Sequence, residues 1–447
     1  MAPMKALCGA ALLLGFLSGA ALGDEAPVKG SAKAIWGERV QGKSWRIAED
    51  VEIDGVHRKY VLETSAGAFT IVSDALMAVR LHEYGVLEQL NEDTGLGQFI
   101  QSFGSSAIAP LKFGGQLIIS PIETAKQSAQ GIGNFFDSLS SSGENKDAER
   151  GSFMGGVLGT DSARRELAAQ AQVDPYTDFP PLAKRLQELA AARGVGSLSL
   201  RGALMAVPGG AALPNLTATT TRTVMFSASS VGAAQGLQEA LRTKTAGQIM
   251  RDCREKLTAL TADAELVDVL LSNKNYTPAD LLVIATALEQ TGAKDPEVFV
   301  RQSSMAQDRT TAYLNRQQAE MYAGLKRSFA FARFLAQDGF VLMVLRDRRH
   351  LLALPADQLF WTTKNRQDIS ALGASLDAAK PDAGDGKPAS KPASKLAANK
   401  LMVITGDYSK MARAELAKLQ WEPARMTLTA GLVSTPKPAA REAKPGR

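Results

Sequence analysis

Phe340-Val341-Leu342-Met343-Val344-Leu345, then Arg346-Asp347-Arg348-Arg349, then His350-Leu351-Leu352-Ala353-Leu354 is the stretch on which the fold turns. Two short apolar runs joined by a charged link, with Asp338-Gly339 supplying a turn just before them, read as paired strands. Leu359-Phe360-Trp361 is expected to extend the same sheet. Leu401-Met402-Val403-Ile404 is expected to add a strand, and Ser409 to Leu419 a helix. Together they form a small α/β module over residues 339–430. The module is interrupted at 374–400 by a Lys/Pro/Ala stretch in which Lys387-Pro388-Ala389-Ser390 is followed at once by Lys391-Pro392-Ala393-Ser394. Such low-complexity composition buries too little apolar surface to fold, so a disordered insertion is expected.

Upstream, residues 161–338 read as a helical domain. Pro180 to Arg193 carries Leu182, Leu186 and Leu189 on one face and meets Gly194, a residue suited to a left-handed cap. Burying those three leucines contributes on the order of 5–9 kcal/mol before entropy. Thr277-Pro278-Ala279-Asp280 reads as a helix start and Gly292 as its stop. Helical spacing then runs from Pro296 to Gln337, about 63 Å if straight, which predicts a kink near Gly324 or two consecutive helices.

In residues 24–94, Tyr60-Val61-Leu62 and Phe69-Thr70-Ile71-Val72 flank the turn-forming Thr64-Ser65-Ala66-Gly67. This is a hairpin signal, and helical spacing follows from Asp74 to Asn91. The fold class is therefore α+β, mainly helical: an N-terminal β-hairpin plus helix, a central helical domain and the small C-terminal α/β module. Between the first two parts lies a Gly/Ser-rich region, 95–160, in which Lys112 is the only charge between Gly95 and Ile122, and a second nearly uncharged stretch spans 202–238.

The ends of the chain concern its destination. Residues 1–23 carry one charge, Lys5, an apolar centre and the small-residue pattern Ala21-Leu22-Gly23 ahead of Asp24, the layout of a cleavable signal peptide. The net charge of +5 belongs to two segments: 380–400 and the expected disordered basic tail 431–447 are each +3, leaving −2 for the rest of the mature chain. A basic face for nucleic acid is thereby excluded. Once the signal is removed one cysteine remains, Cys253, on the same helical face as Met250, Leu257 and Leu260, so it reads as a buried structural thiol.

The motifs for chemistry are sparse. Gly37-Glu38-Arg39-Val40-Gln41-Gly42-Lys43-Ser44 matches the phosphate-binding loop letter for letter, yet it lacks the preceding buried strand and the following helix that the chemistry needs. His82-Glu83 begins like a zinc-protease helix, but Val86 stands where the second histidine belongs. His57, beside Arg58 and Lys59, reads as solvated. Arg346, Arg348, Arg349 and His350 form the one local cluster of positive donors and are the candidate anion contact. No cofactor and no metal are expected, and a pair of hydrolytic carboxylates would be invisible in sequence because such partners meet only in space.

Ser120-Pro121-Ile122-Glu123-Thr124, Gly131-Ile132-Gly133-Asn134-Phe135-Phe136 and Val173-Asp174-Pro175-Tyr176-Thr177 with Leu182 and Leu186 resemble segments of a family of uncharacterised exported bacterial proteins. Tyr276-Thr277-Pro278 adds a weaker similarity. The resemblance implies export and brings no activity or residue roles with it. The expectation is an envelope protein, periplasmic or secreted, acting by binding or scaffolding on an envelope protein or membrane surface. Its rivals are a membrane-docked protein using 95–160 and 202–238, and a periplasmic hydrolase with a carboxylate acid and base.

Overall fold

The structure, a computed structural model, describes residues 24–26, 28–92, 154–195, 231–379, 399–427 and 432–434. The expected signal peptide, most of 95–160 and 202–238, the heart of the 374–400 insertion and nearly all of the tail lie outside the described residues.

The mixed α+β class holds, with helices predominating over strands. After β1 (Lys29–Ser31) and the short α1 (Ala32–Trp36) come β2 (Trp45–Ile47), β3 (Asp50–Ile53), β4 (Arg58–Thr64) and β5 (Gly67–Val72). β5 pairs along one edge of β4, while β3 and β2 share the other edge and β1 pairs β3, all antiparallel. Alternation decides the faces: Tyr60, Leu62 and Thr64 of β4 are buried while their neighbours are not. Tyr60, Leu62 and Ile71 pack on Leu76 and Met77 of α2 (Asp74–Glu92). The other side of α2 gives Tyr84, Leu87 and Leu90 to a core shared with α3 (Met154–Ala171) and α4 (Pro180–Val195). Leu182, Leu186 and Leu189 are all buried there, as the leucine spacing predicts. α4 continues through Gly194 to Val195.

Six further helices follow: α5 (Val231–Thr243), α6 (Ala246–Thr261), α7 (Ala264–Leu271), α8 (Pro278–Thr291), α9 (Glu297–Ser304) and α10 (Arg309–Leu325). Thr277 caps α8 as expected: its hydroxyl accepts from the Asp280 N–H, the Asp280 carboxylate accepts from the Thr277 N–H, Pro278 is the first helical residue and Gly292 ends the helix at φ +55°.

The C-terminal sheet comprises β6 (Phe331–Gln337), β7 (Phe340–Leu345), β8 (His350–Leu354), β10 (Lys400–Ile404), β12 (Trp421–Thr427) and β13 (Leu432–Ser434), in the order β13-β12-β10-β8-β7-β6. Its centre, β8-β10-β12, is parallel. Both faces are covered, which is why the strands read as unbroken apolar runs. Leu401 and Val403 of β10 join the helical core beside α6, α8 and α10, while Met402 and Ile404 face α11 (Thr363–Ala378) and α12 (Lys410–Lys418).

Three expectations are corrected. The helical spacing that runs on to Gln337 stops at Leu325, and Phe331–Gln337 is strand β6. Leu359 and its neighbours do not extend the main sheet: β9 (Gln358–Leu359) pairs with β11 (Asp407–Tyr408) in a separate ribbon. Of the insertion expected at 374–400, residues 374–378 belong to α11 and Lys400 opens β10. No described helix is long and apolar enough to cross a membrane.

Candidate functional site

Among the described residues, a dense gathering of chemistry-bearing side chains joins α2, the 173–179 loop, α8 and α10. Arg80 of α2 pairs with Glu83 and Asp178, Arg309 of α10 pairs with Asp178 at 2.9 Å and with Asp280 at 2.7 Å, and Arg316 pairs with Asp280 at 3.2 Å. The Thr177 hydroxyl donates to Glu83, and the Thr277 hydroxyl to Asp174 at 3.3 Å. Asp280 is fully buried and Asp178 nearly so. Burial by itself raises the Asp178 carboxyl, but Arg309 and Arg80 outweigh it and hold the group well below the usual carboxylate range. Burial raises Glu83 and pushes Asp174 up to about 7. Asp178 and Asp280, the carboxylates that share a partner here, both clasp Arg309. Neutralised carboxylates locked to guanidinium groups make a structural frame rather than an acid and a base.

The second gathering lies at the carboxyl ends of β8 and β10, where open α/β sheets commonly hold ligands. Here the crevice is filled by the chain itself. Asp357 and Gln358 donate backbone N–H bonds to Val56 O, Phe360 donates to Gly55 O at 2.9 Å, and Asn365 Nδ2 also reaches Gly55 O. In return the Asp357 carboxylate accepts the N–H groups of Arg58 and Asp74, both at 2.9 Å. His57 Nδ1 stands 3.9 Å from that carboxylate and has no hydrogen-bond partner. Gly406 is required beneath it, since a Cβ there would sit 1.8 Å from the Asp357 carbonyl oxygen. His57 thus departs from its expected solvated state, because the turn that carries it is the docking edge of the N-terminal sheet.

The remaining sequence candidates are placed as follows. Arg346 donates to Phe331 O at 3.3 Å, and Arg349 pairs with Asp347 at 2.9 Å and lies over the Phe329 ring. Arg348 is exposed at the left-handed position of the β7–β8 turn, φ +68°. His350 is partly buried, and its basicity is lowered by burial and by nearby Arg333 and Lys400. The four therefore do not converge as a set, since protein acceptors hold two of them. In the stretch that matches a phosphate loop, Gly37 ends α1 and the chain runs into β2, and Ser44 donates both its N–H and its hydroxyl to Glu88. His82 Nε2 lies 3.2 Å from Gln172 O. Cys253 is buried, with its thiol pushed up to about 12 by desolvation and Asp252.

An open surface lies between α7 and the end of α9. The inner face of α7, Leu266, Val267, Leu270 and Leu271, is buried in the core. Its outer face lines a groove of about 710 Å³ with Glu265, Asp268, Val269 and Ser272, and Ser304 stands across from them. Asn273 fixes the floor by donating to Ser304 O at 3.1 Å and Ala306 O at 2.9 Å, and Tyr276 OH donates to Ser303 O. Val269 is 51% exposed, and Met305, next to Ser304, is 65% exposed. None of these residues carries a motif, and the only sequence trace of the groove is that Val269 falls on the polar side of an amphipathic helix. The chain matches no protein-family model, no curated protein and no solved structure.

Proposed function

We propose that this is an exported cell-envelope protein that acts by binding a protein partner through the α7–α9 groove, without catalysis. The observation that carries the reading is the exposure of two large apolar side chains, Val269 in the lining of the groove and Met305 next to Ser304 of that lining, around a floor clamped by Asn273. Apolar side chains presented on a rigid frame are what a partner's contact centre requires. The buried carboxylates nearest to a hydrolytic pair are engaged by arginines, which supports binding over hydrolysis.

Export fits the other end of the molecule. Asp24 accepts from Thr363 at 2.7 Å and from Arg366 at 2.8 Å, and Glu25 accepts from the Trp361 N–H and the Ser409 hydroxyl. A cut before Asp24 leaves every one of these contacts in place.

The test is a photo-crosslinking side chain installed at Met305 in living cells. A discrete adduct that disappears with Val269→Asp supports the groove as a docking site. An adduct pattern unchanged by Val269→Asp, or equal to that from a crosslinker on the far side at Glu415, overturns it.

A further inference from the structure

The amino ends of β8, β10 and β12 lie together because the three strands are parallel, and β6 begins and β7 ends beside them. Two links close the molecule at this end. One leads from α10 into β6 and carries Lys326 and Arg327, and the other is the β7–β8 turn with Arg346, Arg348 and Arg349. The Arg346 N–H donates to Ala330 O at 2.8 Å, so the two links meet. Lys294, past the end of α8, joins them by donating its N–H to Ala332 O at 2.9 Å.

Lys294, Arg327, Arg346 and Arg348 are exposed and Lys326 is half-buried. Among the described residues none of the five is paired with a carboxylate. Most carboxylates at this end are taken: Asp347 by Arg349 at 2.9 Å, Asp377 by Lys400 at 2.6 Å and Glu415 by Lys418 at 2.5 Å. Asp295 and Glu422 remain against the five cations. The basic stretches 380–400 and 431–447 are attached at the same end. α11 brings Asp377 to Lys400, Asn399 O accepts from the His350 N–H at 3.0 Å, and β13, antiparallel to β12, leads back toward it. Each stretch is +3 while the rest of the mature chain sums to −2, so positive charge that the sequence scatters is gathered at one end.

We propose that this end is a docking face for an anionic phospholipid surface, met through Lys294, Lys326, Arg327, Arg346 and Arg348. The arrangement of the cations decides the class of partner. A discrete anion needs donors aimed at one point, and these side chains stand on separate links without converging. A field of headgroup charge asks only that the cations reach it together, each adding about fivefold to the binding constant at low salt. Attachment of this kind is reversible and screened by salt, so the protein is recovered in soluble form on fractionation. The groove lies at the other end of α9, about 12 Å of helix beyond the residues that follow Lys294, and is not part of the face.

The test is co-sedimentation of the chain from Asp24 onward with vesicles of phosphatidylcholine, alone or with about 30% phosphatidylglycerol, at about 0.05 M salt. Binding to the anionic vesicles alone, lost by about 0.5 M salt, is expected. Lys294→Gln, Arg327→Gln and Arg348→Gln together should weaken it about a hundredfold. Lys33→Gln, Lys364→Gln and Lys410→Gln together remove the same net charge elsewhere, from α1 and the starts of α11 and α12, and should weaken it less than about fivefold. All six side chains are exposed, and a thermal melt matching wild type checks that each triple variant is folded. Equal losses in the two variants would reveal a response to net charge, and undiminished binding in the first would show that the basic stretches bind by themselves. Either result overturns the face, as does a wild type that ignores anionic vesicles or binds neutral ones equally. Vesicles ignored while soluble polyglutamate is bound would assign this end to an acidic protein instead. No substituted residue lines the α7–α9 groove, so this test and the crosslinking test fail independently.

Discussion

Arg309 shows what a single side chain can join here: it reaches Asp178 in the loop before α4 and Asp280 at the start of α8, while its guanidinium lies over the Tyr313 ring. Asp178→Asn removes the carboxylate from between Arg80, which is buried, and Arg309, whose side chain is 21% exposed, and is expected to cost about 3 kcal/mol in denaturant unfolding near neutral pH. The sign with pH follows from the depressed Asp178 carboxyl. Its contribution is complete above the unfolded value of about 4 and is lost as pH falls further, so the gap between wild type and Asp178→Asn should narrow in acid. A gap that stays constant down the acid limb would show that the loss comes from packing and not from charge. Cys253 gives a simpler expectation: a thiol reagent at neutral pH should leave the native protein unlabelled and react fully once it is unfolded, because the thiolate is both buried and disfavoured. Cys253 was legible in sequence because its burial is a local matter of helix spacing with Leu257. Arg80, Asp178 and Arg309 were not, since partners 98 and 131 positions apart leave no periodic trace. His57 was misread for the same reason: Arg58 and Lys59 beside it suggest solvent, while Asp357, 300 positions away, decides its surroundings.

At the scale of elements, legibility follows how local the determining signal is. α8 could be placed from Thr277, Pro278, Asp280 and Gly292 alone, because a capping box and a left-handed stop are made within one turn at each end. Thr277→Ala is accordingly expected to lower stability by about 1–2 kcal/mol, with Thr277→Ser recovering most of it, as measured by the midpoint of urea unfolding. An Ala variant as stable as wild type would mean that the tertiary contacts of α8 make the cap redundant. β7, β8 and β10 were readable as strands because burial on both faces demands unbroken apolar runs of that length. β6 was not, and the reason is geometric. A register shift between Phe331 and Arg333 lets Phe331 and Phe334 both face the helical core, so a strand shows the three-residue spacing of a helix. The α7–α9 groove was illegible because an exposed Val269 looks like any surface residue until the end of α9, at Ser304, is brought across from it.

Across the whole molecule, α10 is the axis on which the layers meet. Tyr313 packs in the core under the N-terminal sheet, Arg309 and Arg316 hold the ionic frame, and Gln318 and Tyr322 donate to Ala353 O and Val341 O of the C-terminal sheet. The two sheets are also tied directly, and the outermost tie is made by Asp24 and Glu25. Glu25 sits between the Trp361 N–H and Ser409, the N-cap of α12, while Asp24 meets Thr363 and Arg366 in the first turns of α11. An acidic side chain at a helix N-terminus is favoured by the helix dipole, so these two residues stabilise the starts of both helices that cover the outer face of the C-terminal sheet. Glu25→Ala, which removes two charge-assisted hydrogen bonds, is therefore expected to cost about 2 kcal/mol, more than Glu25→Gln, in thermal or denaturant unfolding. The position of this tie also constrains processing. Cleavage after Gly23 keeps both acidic residues, whereas cleavage even two residues later removes the whole clip. Fractionation of the native protein with an N-terminal readout is expected to find a chain starting at Asp24 in the soluble envelope fraction. A start beyond Glu25 would contradict the proposed cut and predict a protein already weakened at α11 and α12. A salt-resistant membrane pool would instead point to an uncut anchor or to the uncharged stretches as the means of attachment.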